Sequence, residues 1–146
     1  MMKKLMRTED DWGAFIARVM LGLVFFPHGA QKVLGWYGGL GLSGTLNAFA
    51  GMGMPKPVAL LVIAVEFLGA IGLIVGLLSR VAALGIIGEM IGAILMVHAQ
   101  NGFFMNWYGN QKGEGFEYHL LAIALAAIVL LKGSGRWSLD RALSPK

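Results

Sequence analysis

The chain has 146 residues, with 12 Lys and Arg against 8 Asp and Glu, and no cysteine. Charged residues make up 14% of it, well below the share of about 25% in soluble domains, while 57% of the residues are hydrophobic. A soluble domain of this length could not bury so much apolar surface, which argues against a soluble enzyme, a disordered protein and a disulfide-stabilised scaffold. The basic residues do not form one patch, so nucleic acid is not an expected partner. The composition predicts a single integral membrane domain, 1–146.

Four apolar stretches predict an all-α fold, a transmembrane bundle of four helices at 12–34, 57–78, 81–99 and 117–133. A membrane-spanning helix needs about 20 predominantly apolar residues. The fourth stretch reaches this length only when the polar residues at its two ends are included. The first stretch follows the acidic run Glu9-Asp10-Asp11 and lacks a small-residue cleavage site. We therefore interpret it as a retained helix, capped by Asp10 or Asp11, rather than as a signal peptide.

The distribution of Lys and Arg predicts the orientation. Eight lie in the two terminal tails and the short turn at Arg80, whereas three lie in or beside the two long loops, roughly 35–56 and 100–116. Because basic residues favour the cytoplasmic side, we expect both termini there, in a multi-pass protein of the cytoplasmic (inner) membrane. The loops are rich in Gly, Trp and Tyr, which suits the headgroup level, and 43–52 is predicted to form a short interfacial helix.

Charged side chains inside a bilayer cost about 2.5–3.5 kcal/mol each by insertion scales, so embedded ones indicate a functional site. Depths counted at about 1.5 Å per residue from the helix ends place His28, Glu66 and Glu89 near the midplane, and Arg18 deeper. With no equally deep Lys, the two carboxylates are expected to be protonated, hydrated, or paired with Arg18 or His28. A shallower polar group consists of Gln31, Lys32, His98, Glu117 and His119.

These residues also have simpler interpretations. Arg18 could extend to the headgroups, and Lys32 could only anchor its helix. His98 and His119 could be ordinary residues at helix ends. The three His lie on separate helices without metal-ligand spacing, so no metal site is predicted, and no haem or flavin motif is present. Glycines of the second and third helices are interpreted as packing residues, which would turn Glu66 and Glu89 inward. They include Gly69, Gly72, Gly76, Gly85, Gly88 and Gly92.

The motifs of the first two helices match a known family. The first helix reads RVMLGLVFFPHGAQK over 18–32, and the second reads EFLGAIGLIVGLLSR over 66–80. A loop with Gly102-Phe103-Phe104 then leads to Glu117-Tyr118. Over nearly its whole length the chain resembles the DoxX family of small four-helix membrane proteins. The resemblance implies a role beside the respiratory quinone pool, since founding members are subunits of thiosulfate:quinone oxidoreductase and terminal quinol oxidase complexes, and other relatives are linked to oxidative and thiol stress.

Three hypotheses follow. In the first, the chain is a subunit of a quinone-linked oxidoreductase complex in which His28 and Lys32 hold the quinone head, Glu66 and Glu89 relay protons, and a partner subunit supplies electrons. In the second, the same cluster binds a small solute in a transporter, for which a homo-oligomer would provide more room. In the third, the chain is an assembly module that recruits a soluble redox or stress-response partner. The quinone or substrate cluster of these hypotheses comprises Arg18, His28, Lys32, His98, Glu117 and His119.

Overall fold

The computed structural model describes residues 6–144, which form helices and turns without a strand. The predicted all-α fold is therefore confirmed for this part of the chain. Asp11 caps the first helix, because its side chain accepts a hydrogen bond of 2.7 Å from the backbone nitrogen of Ala14. Gly35, with φ +71°, ends that helix. The helices are α1 (Trp12–Leu34), α2 (Gly41–Gly51), α3 (Lys56–Val75), α4 (Ser79–Asn101), α5 (Glu117–Lys132) and α6 (Leu139–Leu143).

Among the described residues, α1, α3 and α4 are long and apolar enough to cross a membrane. The chain is a multi-pass membrane protein. α5 has 16 residues, about 24 Å at 1.5 Å per residue, against a hydrocarbon core of about 30 Å. Its crossing of the membrane remains a prediction, and so does the orientation of the termini. The predicted second span, 57–78, is shorter in the structure, because Gly76 turns the chain with φ +72°.

The long helices run alternately up and down, so the bundle has two distinct ends. At the first, which we name the terminus end, α1 and α4 begin and α3 and α5 finish. At the second, the loop end, lie α2 and the long 102–116 loop. A buried apolar core fills the bundle between them. It includes Leu21, Phe25, Leu73, Ile86, Ala126 and Val129.

The backbones of α1 and α3 touch at two glycines. A Cβ atom added to Gly29 would lie 2.5 Å from the carbonyl oxygen of Glu66, and one added to Gly22 would lie 2.9 Å from that of Ala70. Small residues let membrane helices approach this closely. Gly29 therefore sets the level at which α3 presents Glu66.

Packing also explains some of the glycines of α3 and α4. A Cβ atom on Gly85 would meet Val65 Cγ2 at 2.6 Å, in agreement with the predicted packing role. For Gly88 and Gly92 that prediction is wrong, because within the described chain a Cβ atom at either position would find no neighbour within 4 Å. Gly88 is exposed and Gly92 is half-buried.

Two π-helical turns interrupt the long helices, Val65–Gly69 in α3 and Ile94–His98 in α4. Such turns are rare, and they occur frequently at functional sites, since an extra residue in the turn redirects the neighbouring side chains. One turn contains Glu66 and the other contains His98. Helical periodicity gave no signal for either turn.

Candidate functional site

Three helices bring a lysine and two glutamates together inside the bundle. Lys32 Nζ of α1 lies 2.6 Å from Glu66 Oε2 of α3. Glu89, from α4, is the next carboxyl group of this region and lies within electrostatic range of Glu66. Glu66 is buried, and Lys32 and Glu89 are half-buried. We name Lys32, Glu66 and Glu89 the carboxylate cluster.

The carboxylate cluster is incompletely hydrogen-bonded. Glu66 Oε2 and Glu89 Oε2 are buried and accept no hydrogen bond of regular geometry, although the ammonium group of Lys32 lies close to the first. Two ionised carboxylates are acceptors only, so Glu66 and Glu89 can bond to each other only by sharing a proton. Nearly all buried polar atoms in proteins have partners. The arrangement can therefore accept, donate or share a proton, and it has acceptor atoms left for a ligand.

The pairing of Lys32 with Glu66 corrects the depth estimate from the sequence. That estimate placed Lys32 in a shallower group and left the carboxylates with Arg18 or His28 as partners. It assumed that the helix ends are level. In the structure Gly29 of α1 and Glu66 of α3 lie at the same level. From that level α1 continues for only five residues toward the loop end, whereas α3 extends ten residues in the same direction. A flexible lysine one turn above Glu66 can therefore reach it.

A pair of histidines lies between the carboxylate cluster and the loop end. The rings of His98 and His119 have centroids 4.1 Å apart. His119 is buried and its Nδ1 has no hydrogen-bond partner among the described residues, whereas His98 Nδ1 lies 2.8 Å from the carbonyl oxygen of Glu114. Tyr118 lies beside His119, with ring centroids 5.5 Å apart, and within electrostatic range of Glu66 and Glu89.

The structure does not bring His28 and Glu117 into these groups. His28 is exposed on the outer surface of α1. Glu117 Oε1 accepts hydrogen bonds from the backbone nitrogen of Met105 at 2.9 Å and from Trp107 Nε1 at 3.1 Å. Glu117 thus holds the 102–116 loop against the start of α5.

Arg18 lies at the terminus end, apart from the carboxylate cluster, and is fully buried. It is enclosed by the protein and does not pair with a glutamate of the cluster. Its guanidinium group donates five hydrogen bonds of 2.6–3.0 Å to backbone carbonyl oxygens and thereby joins the end of α3 to the segment after α5. The acceptors are the carbonyl oxygens of Leu73, Ile74, Ser134, Arg136 and Trp137.

Asp140, which was not singled out in the sequence, completes the network at the terminus end. It is 1% exposed. Its carboxylate accepts hydrogen bonds from the backbone nitrogens of Leu78 and Ser79 at 2.8 and 3.1 Å, and from Ser134 Oγ at 2.5 Å. An acidic group here stabilises the N-terminus of α4. The only sequence signal was local, since Ser138 caps the short helix that carries Asp140.

Comparison with known proteins agrees with the fold. The profile of the DoxX family matches residues 13–99, more than half of the chain. The chain is 30% identical to "Putative oxidoreductase CatD" of Bacillus subtilis over 135 residues, 92% of this chain and 90% of that protein. It is 28% identical to "Inner membrane protein YqjF" of Escherichia coli over 97% of this chain and 99% of the relative.

A third relative, "Uncharacterized membrane protein Rv3486" of Mycobacterium tuberculosis, is 33% identical over 98% of this chain and 88% of its own length. No solved structure matches the chain significantly. The family profile covers α1, α3 and most of α4, and therefore all three members of the carboxylate cluster. From the extent of this match we conclude that the chain belongs to the DoxX family.

Proposed function

We propose that the chain is a membrane subunit of a quinone-linked oxidoreductase in the cytoplasmic membrane, in which the carboxylate cluster binds the quinone headgroup and manages its protons. The observation that carries the proposal is a lysine–glutamate–glutamate group between the helices, in which Lys32 lies 2.6 Å from Glu66 Oε2 and the buried Glu89 Oε2 has no hydrogen-bond partner among the described residues. Buried ionisable residues in a membrane protein are costly and usually functional. A purely structural cluster would be expected to satisfy its own polar atoms.

The side chains present fit a quinone headgroup chemically. A quinone carbonyl oxygen accepts hydrogen bonds, which the ammonium group of Lys32 can donate, and a quinol hydroxyl donates one, which Glu66 or Glu89 can accept. Quinone reduction consumes two electrons and two protons. In this proposal the carboxylate cluster exchanges the protons, and a redox partner subunit exchanges the electrons.

The names of two relatives support an oxidoreductase activity and a location in the cytoplasmic membrane. One is named an oxidoreductase and another an inner membrane protein, and each aligns over 90% or more of this chain. Of the six residues that the sequence analysis assigned to a quinone or substrate site, Lys32 contacts a glutamate. His98 and His119 lie on the loop-end side of the carboxylate cluster. Arg18 and Glu117 are assigned structural roles, and His28 is left outside the site.

The test measures retained quinone. The protein is purified gently from membranes that contain the native quinone pool, and quinone per protein is determined by lipid extraction and mass spectrometry. We expect Lys32→Gln and Glu66→Gln to bind quinone roughly ten- to a hundredfold more weakly than the wild type, because each loses a charge-assisted hydrogen bond of about 1.5–3 kcal/mol.

Matched substitutions outside the cluster serve as controls. Lys56→Gln and Glu9→Gln change the same residue types at exposed positions and should retain quinone as the wild type does. Thermal unfolding in the same detergent identifies any variant that has lost its fold. Equal quinone retention in folded Lys32→Gln, Glu66→Gln and wild-type protein would contradict the proposal.

A further inference from the structure

Polar groups surround the carboxylate cluster asymmetrically. Toward the terminus end, each of the four long helices fills the bundle with apolar side chains one turn or more below the cluster. Arg18, the charged residue beyond that core, is fully occupied by five backbone carbonyl oxygens. The side chains that form this apolar layer are Leu21, Phe25, Leu73, Ile86, Ala126 and Val129.

Toward the loop end the surroundings of the cluster include polar side chains as well as apolar ones. Tyr118 lies within electrostatic range of both glutamates, and its ring is next to that of His119. The imidazoles of His119 and His98 are in contact, and the half-buried His98 meets the 102–116 loop at the Glu114 carbonyl. The chain has three histidines, and two of them form this pair.

We infer that the carboxylate cluster exchanges protons with the water at the loop end of the bundle, through His98, His119 and Tyr118. His119 supplies the main structural argument, because its buried Nδ1 has no partner among the described residues and can accept or hand on a proton. Imidazole is the side chain best suited to proton transfer near neutral pH. The phenol hydroxyl of Tyr118 can receive one proton on its oxygen while releasing its own.

The titratable and charged groups around the route come from every helix that encloses it. Lys32 contributes from α1 and Glu66 from α3. Glu89 and His98 belong to α4, and Tyr118 and His119 to α5. Glu114 and Glu117 stand at its loop end, where both carboxylates accept hydrogen bonds from the loop.

This inference rests on the proposed function and extends it, because it names the side of the membrane from which the protons of the carboxylate cluster come. It is testable without quinone or a partner. Dicyclohexylcarbodiimide enters membranes and adds covalently to protonated carboxyl groups, so labelling of Glu66 and Glu89, located by mass spectrometry, reports their protonation. Liposomes are sorted by capture of a C-terminal tag into those with the terminus end outside and those with the loop end outside.

The pH is then set independently on the two sides of the membrane. Labelling should fall when the pH at the loop end is raised, by roughly tenfold per pH unit once the pair is mostly ionised. It should not respond to the pH at the terminus end. Labelling that follows the terminus-end pH, or neither pH, would overturn the inference. Because quinone is absent, this result is independent of the quinone-retention test.

The role of the histidines is tested by the rate at which carbodiimide labelling changes after a pH jump at the loop end. The double variant His98→Ala, His119→Ala should respond at least tenfold more slowly, and added imidazole should restore the rate by occupying the vacated space. Histidine 28 provides the matched control, because His28→Ala removes the exposed histidine outside the route. An unchanged rate in the folded double variant, or a slow rate that imidazole does not restore, would contradict a role of the pair in proton transfer.

Discussion

At the terminus end the guanidinium group of Arg18 meets five carbonyl oxygens and the carboxylate of Asp140 meets three donors, whereas the carboxylate cluster leaves two of its buried oxygens without regular partners. Both regions bury charge inside a membrane protein. In the first, hydrogen bonds compensate the cost of burial, so charge stabilises the fold. In the second the compensation is incomplete, which is expected of groups that must bind something else or exchange a proton.

The strongest test of this comparison is Arg18→Met. The substitution keeps an apolar chain of similar length but leaves five carbonyl oxygens without their donor. We expect the free energy of unfolding to fall by about 3–5 kcal/mol, as for other buried charged groups whose partner is removed. Denaturant titration in mild detergent measures the loss. Arg7→Met, at an exposed position, is the control, and an equal small effect of both would show that the network adds little stability.

The α1–α3 contact can be tested at Gly29. A methyl group on Gly29 would meet the carbonyl oxygen of Glu66 at 2.5 Å, so Gly29→Ala should separate the helices, displace Glu66 and lower the free energy of unfolding by about 1–3 kcal/mol. Gly88→Ala adds the same methyl group where the described chain has no neighbour within 4 Å, and should not destabilise the protein. The same denaturant titration distinguishes the two. Equal losses would show that Glu66 is not positioned by this contact.

Glu89→Gln should leave the stability of the fold nearly unchanged, in contrast to Arg18→Met. Gln keeps the shape of the side chain and can donate a hydrogen bond to Glu66, but it removes an acid that is poorly compensated. We expect stability within about 1 kcal/mol of the wild type, or slightly higher, together with loss of carbodiimide labelling at position 89. Thermal unfolding and mass spectrometry measure the two effects. A loss of stability as large as that of Arg18→Met would make the cluster structural.

The smallest effect is expected at Asp10, where exposed ion pairs, with Arg141 first and Arg136 second, hold the pKa of the carboxyl group well below its usual range. A lowered pKa in the folded state means that the stabilisation is present above the ordinary carboxyl value and is lost as the pH falls below it. Because the pairs are in solvent, Asp10→Asn should change the midpoint of thermal unfolding little at neutral pH, and less still in high salt. Asp140→Asn, at a buried position, should lower it clearly.

The sequence was sufficient where one helix carries the information. Apolar length predicted the helices, and the position before the first apolar run reduced the choice of cap to Asp10 or Asp11, of which the structure shows Asp11. Glu66 and Glu89 were recognised because ionisable residues in apolar segments are costly. Lys32 was not recognised as the partner of Glu66. Their pairing depends on how far α1 and α3 are displaced along each other, and no single-helix pattern encodes that displacement.

The same limit applies at the terminus end. Arg18 was visible as a charge within an apolar helix, but its acceptors come from the end of α3 and from residues after α5, more than 50 positions away. Asp140 looked like an ordinary polar residue of a tail. Composition and hydropathy thus determine that the chain enters the membrane as helices. Which buried charges are satisfied, and which are left available for a ligand or a proton, depends on contacts between helices that only the folded chain creates.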